Sequence, residues 1–295
     1  MTTGQSEDLA RRLELVERPF AAPRMPPAGL AVRLKTSMWV RRMLPTRLVV
    51  LRAMRRGRRL WERPYDREQA LAAMEIVAGA SQGGQALTEL ARAHLVERQA
   101  HRALFWQRWT TPDIDRRSAA RLREALDGGR GTLLSVCHLG PYSRTSKVAV
   151  SMGHAPYVVA GAWFFEQPSA DYWGRRLARW LKGAQGIRPV PARGSFDLLR
   201  ALLERGECVL LYFDMPGRRE TSFLGRPAML ADGSARLAAE TDALIVPLRM
   251  RRVGHRVVQD VGAPLDPREL ADVGELHEAL ARVHERWILQ APAAM

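Results

Sequence analysis

Residues 131–144 read GTLLSVCHLGPYSR, and the fold turns on how this stretch is read. GTLLSVC has the pattern of a buried strand, which puts His138 at the strand's exit, where α/β proteins tend to place their chemistry. RTSKVAVSMGH then reads as a helix and PYVVAG as a second short strand. Strand, helix, strand implies a right-handed crossover and hence a parallel sheet.

Working outward, the alternation persists. SADYWGRRLARWLKGA is helical, IRPVPA a strand, SFDLLRALLERG a helix, and ECVLLYFD a strand ending in Asp214. A loop, MPGRRETSFLGRPAMLADG, leads to the helix SARLAAET and the strand ALIVPLRM, then HRVVQDVG and a final helix, VGELHEALARVHERWILQ. Upstream, residues 67–109 read as helices interrupted at Gly83-Gly84, and Thr111-Pro-Asp opens a helix that ends at Gly128-Gly129. The fold class is therefore α/β, a single domain with a mostly parallel central sheet flanked by helices and an N-terminal helical basic segment. We divide it into a basic, partly amphipathic segment over 1–66 and an α/β domain over 67–295.

Charge is concentrated. The chain carries a net +15, and between Arg33 and Arg63 eleven Lys/Arg face one acid, Glu62. Such a segment suits a polyanion: an anionic membrane surface, nucleic acid or an acidic carrier protein. MWVRRMLPTRLVVLRAMRRGRRLW interleaves apolar residues with arginines, as an interfacial amphipathic element does, and Pro45 divides it into two pieces. Without zinc-ligand spacing or a recognition-helix pattern, nucleic acid is not expected. No run of eighteen apolar residues occurs, so no transmembrane helix is expected, and residues 1–20 are charged, unlike a signal peptide. The expected location is cytoplasmic, peripherally associated with the inner face of the membrane. Cys137 and Cys208 lie in strand-like runs and read as reduced core thiols, while the seven histidines and the acids never fall at metal-ligand spacing. Helical spacing makes His94 and His101 packing or surface residues.

From about Leu87 to Trp287 the order of blocks resembles the lysophospholipid acyltransferase superfamily, and within it the bacterial lipid A late acyltransferases and phosphatidylinositol mannoside acyltransferases. The carriers are SVCHLGPYS, GSFDLLRALLERGECVLLYFDMPGRRE and FLGRPAMLADGSARLAAETDALIVPLRMRR. The resemblance implies acyl transfer from an acyl-CoA or acyl carrier protein thioester, used as substrate with no cofactor, to a hydroxyl or amine of a lipid, glycolipid or specialised metabolite. It makes His138 the general base. The family's signature is His, four residues, then Asp or Glu, but here the acid position falls on Ser143.

A serine fixes a tautomer and supplies no charge. Three resolutions stay open: another carboxylate (Asp214, Glu166 or Asp171) approaches His138; the acceptor is an amine or another stronger nucleophile; or the fold keeps lipid or acyl-carrier binding without catalysis. Ser143 and Arg144 read equally as caps of the following helix. The candidate catalytic residues are thus His138, Ser143 and Asp214. Arg144 is a candidate substrate contact, and Arg193, Arg218 and Arg219 are candidates for phosphate or head-group contacts. Phe223, Gly225 and Arg226 fall in what the resemblance makes an apolar acceptor loop, Phe223 to Pro227. Trp163, Phe164, Phe165, Tyr172 and Trp173 form an aromatic cluster that suits an acyl tunnel, a membrane contact or core packing.

Overall fold

The computed structural model describes residues 3–17, 29–32, 37, 40, 43–105, 107, 111–161 and 186–295. Glu166, Asp171 and the aromatic cluster from Trp163 to Trp173 lie outside the described residues.

Among the described residues the chain opens with the helices α1 (Thr3–Glu17), α2 (Thr46–Leu60), α3 (Pro64–Ala78) and α4 (Gly84–Phe105). Pro45, with φ −57°, is the N-cap residue of α2, which begins at the next residue. Within α2, Val50, Gly57 and Leu60 are buried while Leu48 and Leu51 are exposed. Gly57 is where α2 meets α4, because a Cβ there would lie 2.6 Å from Val96 Cα and 2.7 Å from the Leu95 carbonyl oxygen.

The α/β part then alternates: β1 (Asp113–Ile114), α5 (Arg116–Asp127), β2 (Thr132–Val136), a 3₁₀ turn (Tyr142–Arg144), α6 (Ser146–Ser151), β3 (Tyr157–Ala160), β4 (Arg188–Pro191), α7 (Phe196–Glu204) and β5 (Cys208–Tyr212). It continues through β6 (Pro216–Phe223), β7 (Arg226–Leu230), α8 (Gly233–Thr241), β8 (Leu244–Val253), β9 (Arg256–Val261) and α9 (Val273–Gln290). The helix expected to open at Thr111-Pro-Asp starts later. Asp115 is its N-cap, accepting the Arg117 and Ser118 N–H groups at 2.9 Å each, and Asp113–Ile114 pairs with β9 instead.

Seven strands form one sheet in the order β1-β9-β8-β2-β5-β3-β4, parallel except for the β8–β9 hairpin. Side chains alternate across it. Leu133, Val209 and Ile245 enter the larger core with α7, α8 and α9, while Leu134, Val136, Leu210 and Val246 pack with Leu122 and Leu126 of α5 and Val148 of α6. Helices on both faces explain why β2 is buried at every position, as a parallel strand must be.

One expectation is revised. The stretch after Asp214, read as a loop, contains an antiparallel hairpin, β6–β7, which turns at Leu224 (φ +57°) and Gly225 (φ +72°). Two consecutive positive φ values make the tight turn that matches strand twist. Phe223 to Pro227 is therefore the hairpin's tip.

Candidate active site

β2 and β5 are neighbours with Thr132 opposite Cys208 and Val136 opposite Tyr212. Carried two residues past the last pair, the same register sets His138 opposite Asp214. The Phe213 N–H donates to the Val136 carbonyl oxygen at 2.7 Å, keeping the two chains together beyond the strands' ends.

The side chains meet there. His138 Nδ1 lies 3.0 Å from Asp214 Oδ1, and the His138 backbone N–H donates to Asp214 Oδ2 at 2.9 Å. A carboxylate accepts both, so Nδ1 carries the proton and the lone pair rests on Nε2. Asp214's side chain is 8% exposed and His138's 40%, so the acid is sheltered while the imidazole reaches solvent. The ring is also bracketed by aromatics: Tyr212 stacks on it at 4.3 Å between centroids and 18° between planes, and Tyr142 meets it edge-on at 4.7 Å. Burial pushes both phenols up from their ordinary values, so these rings stay neutral. Their faces and edges fix the imidazole plane, and a stacked ring also favours a positive charge on it.

The loop carrying His138 is pinned from several sides. Gly140 (φ +67°) donates its N–H to the Ala294 carbonyl oxygen at 2.9 Å and passes so close to β8 that a Cβ would stand 2.0 Å from the Met250 carbonyl oxygen. Arg144 is buried, and its guanidinium donates to the carbonyls of Leu104, at 2.6 Å, and Gln107 at the end of α4. Burial pulls its pKa down to about 10, which leaves it charged at neutral pH. Behind β5, Phe213 is stacked on His284 of α9 at 5.2 Å and tilted against His277 at 5.1 Å. Ser135 Oγ is 2.9 Å from His284 Nε2, and burial brings His284 down to about 4 against the pull of the Asp214 charge, so this imidazole is neutral.

Of the residues singled out from sequence, the structure brings His138 and Asp214 together. Ser143 lies half-buried in the 3₁₀ turn, and the carboxylate hydrogen-bonded to His138 comes from Asp214 rather than from Ser143's position. Arg144 serves the fold as described. Phe223 is buried against Phe213 at 5.8 Å, and the Leu224 and Gly225 N–H groups donate to Glu285 Oε1 at 2.5 and 3.3 Å. Arg226 donates to the Glu75 carbonyl oxygen near the end of α3 at 2.8 Å. Phe223, Gly225 and Arg226 thus sit in a hairpin tip stitched onto α3 and α9. Arg219 is half-buried and reaches the first turn of α9 beside Gly274, while Arg193 and Arg218 are exposed. Cys137 and Cys208 are buried free thiols whose pKa burial raises, as inert core residues require. Among the described residues no group of three or more His, Cys, Asp or Glu is placed to hold a metal. Sequence reading missed the two tyrosines that hold the imidazole, since aromatics next to a strand's end read equally well as core.

A parallel α/β sheet with a His–carboxylate pair at the carboxyl ends of two central strands defines a class of protein that can draw a proton from a nucleophile at that edge. The comparisons add a partial likeness: residues 175–294 match the model of the bacterial lipid A biosynthesis acyltransferase family. The match takes in Asp214 and leaves the His138 loop outside it. Among solved structures, the 1-acyl-sn-glycerophosphate (LPA) acyltransferase PlsC from Thermotoga maritima aligns with TM-score 0.41 and 12% identity, over 78% of this chain and 97% of that one. No curated protein matches the chain.

Proposed function

We propose that the protein transfers an acyl group from a coenzyme A or acyl carrier protein thioester to a hydroxyl or amine, with His138 as general base and Asp214 as its carboxylate partner. The observation that carries this reading is the double hydrogen bond from His138, side chain and backbone, to Asp214. His138 Nε2 takes the proton of the acceptor as its oxygen or nitrogen attacks the thioester carbon. The tetrahedral intermediate then collapses with cleavage of the C–S bond, and the imidazolium returns the proton to the departing thiolate. Asp214 holds the tautomer and offsets the imidazolium charge, which is the task of the carboxylate in a Ser-His-Asp triad. Ser143 therefore does not leave the base without an acid, and this weighs against a protein that only binds.

Membrane attachment belongs to the same reading. Among the described residues no helix is long and apolar enough to cross a membrane. Met43, Leu44, Leu48 and Leu51 are exposed beside the arginines of α2, an arrangement suited to lying in an anionic interface, on the inner face of the membrane in a cytoplasmic protein.

The test is mass spectrometry of products after incubation with acyl-coenzyme A or acyl carrier protein and a panel of lysolipids, glycolipids and amines. An acylated acceptor with release of free thiol is the expected result. Donor binding without product from any pair would replace the reading with a carrier-binding protein. Turnover of soluble amines or alcohols with no glycerolipid product would assign the enzyme to specialised metabolism.

A further inference from the structure

A cleft of about 510 Å³ adjoins the His138 loop. Leu139, the residue after His138, forms part of it. Its other walls are Arg249, Arg251, Arg252 and Asp260 from the β8–β9 hairpin, Glu97 and His101 from α4, and the turn over 291–294 whose Ala294 carbonyl holds Gly140.

The three arginines are not equivalent. Arg249 is fully engaged: Nε and Nη2 donate to Asp260 Oδ2 at 2.9 and 2.8 Å, and Nη1 donates to Gln290 Oε1 at 2.7 Å. So is Arg252, whose Nε and Nη2 hold the two Glu97 oxygens while Nη1 donates to the Gly254 carbonyl oxygen. Arg251 differs. Its Nε donates to Asp260 at 2.9 and 3.1 Å, and among the described residues its Nη1 and Nη2 have no partner. Its side chain is 45% exposed, against 15% and 11% for Arg249 and Arg252.

Charge points the same way. Burial would raise the Glu97 carboxyl, but the neighbouring His101 ring, 3.3 Å away, and the hydrogen bonds from Arg252 bring it down to about 2, so it is ionised at neutral pH. Three guanidiniums then face two carboxylates, Glu97 and Asp260, leaving the cleft one positive charge in excess, with the uncommitted donors on Arg251. A guanidinium held at Nε with both Nη groups unengaged fits the paired oxygens of a phosphate.

We propose that this cleft is a phosphate-ester subsite of the adjoining reaction centre, with Arg251 as its anion ligand and Asp260 holding the guanidinium in place. The inference rests on the acyl-transfer reading for what the phosphate is attached to: the pantetheine arm of the donor or the head group of the acceptor. It departs from the sequence-based expectation, which sought such a contact at Arg193, Arg218 and Arg219.

Titration calorimetry separates the sources without needing turnover. The probes are coenzyme A, pantetheine, which lacks the phosphates, and a short-chain lysophosphatidate with its unphosphorylated monoacylglycerol, each against wild type, Arg251→Gln and Arg251→Lys. The expected result is that Arg251→Gln weakens one phosphorylated probe by about tenfold or more, as loss of charge-assisted hydrogen bonds does. Its unphosphorylated counterpart is unmoved, and Arg251→Lys loses less. Coenzyme A as the affected probe assigns the cleft to the donor, and lysophosphatidate assigns it to the acceptor. Equal effects within a pair, or none on either phosphorylated probe in protein whose melting temperature is unchanged, overturn the subsite. Acyl transfer failing with every donor while the Arg251 effect persists removes the proposed function and leaves the subsite standing.

Discussion

Replacing Asp214 with Asn keeps the shape of the side chain and removes what the geometry uses. Asp214 accepts two hydrogen bonds, from His138 Nδ1–H at 3.0 Å and from the His138 backbone N–H at 2.9 Å, and an amide has one oxygen to meet both donors. If the oxygen faces the backbone N–H, the amide NH₂ faces Nδ1 and drives the imidazole proton onto Nε2, which abolishes the base. If the oxygen faces Nδ1, two N–H donors oppose each other at the backbone, and an unsatisfied buried donor costs about 1–3 kcal/mol. The first arrangement wins, because it avoids that penalty by shifting one proton. Asn in place of the triad aspartate lowers turnover about 10⁴-fold, and the same wrong-tautomer logic applies here. The expected loss in kcat is about 10³–10⁴-fold, with KM little changed. Steady-state release of free thiol, followed with a chromogenic disulfide alongside near-UV circular dichroism, is the assay. A folded Asp214→Asn protein working within tenfold of wild type would show that the carboxylate does not support His138.

Other consequences follow from the same structure. Gly140→Ala places a Cβ 2.0 Å from the Met250 carbonyl oxygen at a positive φ. The loop must move, with a cost above the ~1–2 kcal/mol of the left-handed backbone alone; activity is expected to fall further than the melting temperature indicates, because His138 moves with it. Gly57→Ala forces α2 away from α4 at Val96 and is expected to cost about 1–3 kcal/mol, read from denaturant unfolding. An unchanged midpoint would mean that α2 is not docked there. Burial lowers His284 to about 4, whereas an unfolded histidine titrates near ~6.5. Between those values the unfolded chain binds the extra proton, so stability falls as pH drops through this window, by about 3 kcal/mol at its lower end. His284→Phe is expected to flatten that part of the stability–pH curve, and an unaltered slope would assign the acid sensitivity elsewhere.

The sheet was legible because its strands are short apolar runs punctuated by Gly and Pro, with helices of clear period between them. Both members of the proposed catalytic pair were visible as residues just after strands, His138 after GTLLSVC and Asp214 after ECVLLYF. Their meeting was not. It depends on β2 and β5 being neighbours in matching register, a non-local choice that neither segment encodes alone. The β6–β7 hairpin escaped notice because its alternation is carried by arginine, glutamate and threonine, and its turn is Leu224-Gly225 rather than the Asn-Gly or Asp-Gly that usually marks two positive φ values. The burial of Arg144 was not legible for a related reason. Arginine is rarely buried, so a guanidinium holding the carbonyls at the end of α4 reads from sequence as a surface charge ready for a ligand. Arg251 sits in a strand of alternating arginines, and nothing in the order RMRRV distinguishes the one whose Nη groups Asp260 leaves unused.

The central claim is that His138, held by Asp214, draws the proton from the acceptor in an acyl transfer. A single-turnover experiment with acyl carrier protein or coenzyme A thioester, comparing wild type with His138→Ala by mass spectrometry of the acylated acceptor, tests it most directly. The account predicts product in the wild type and a loss of about 10²–10⁴-fold in its rate of formation without His138, as removal of a general base gives. Equal rates from both proteins would contradict it.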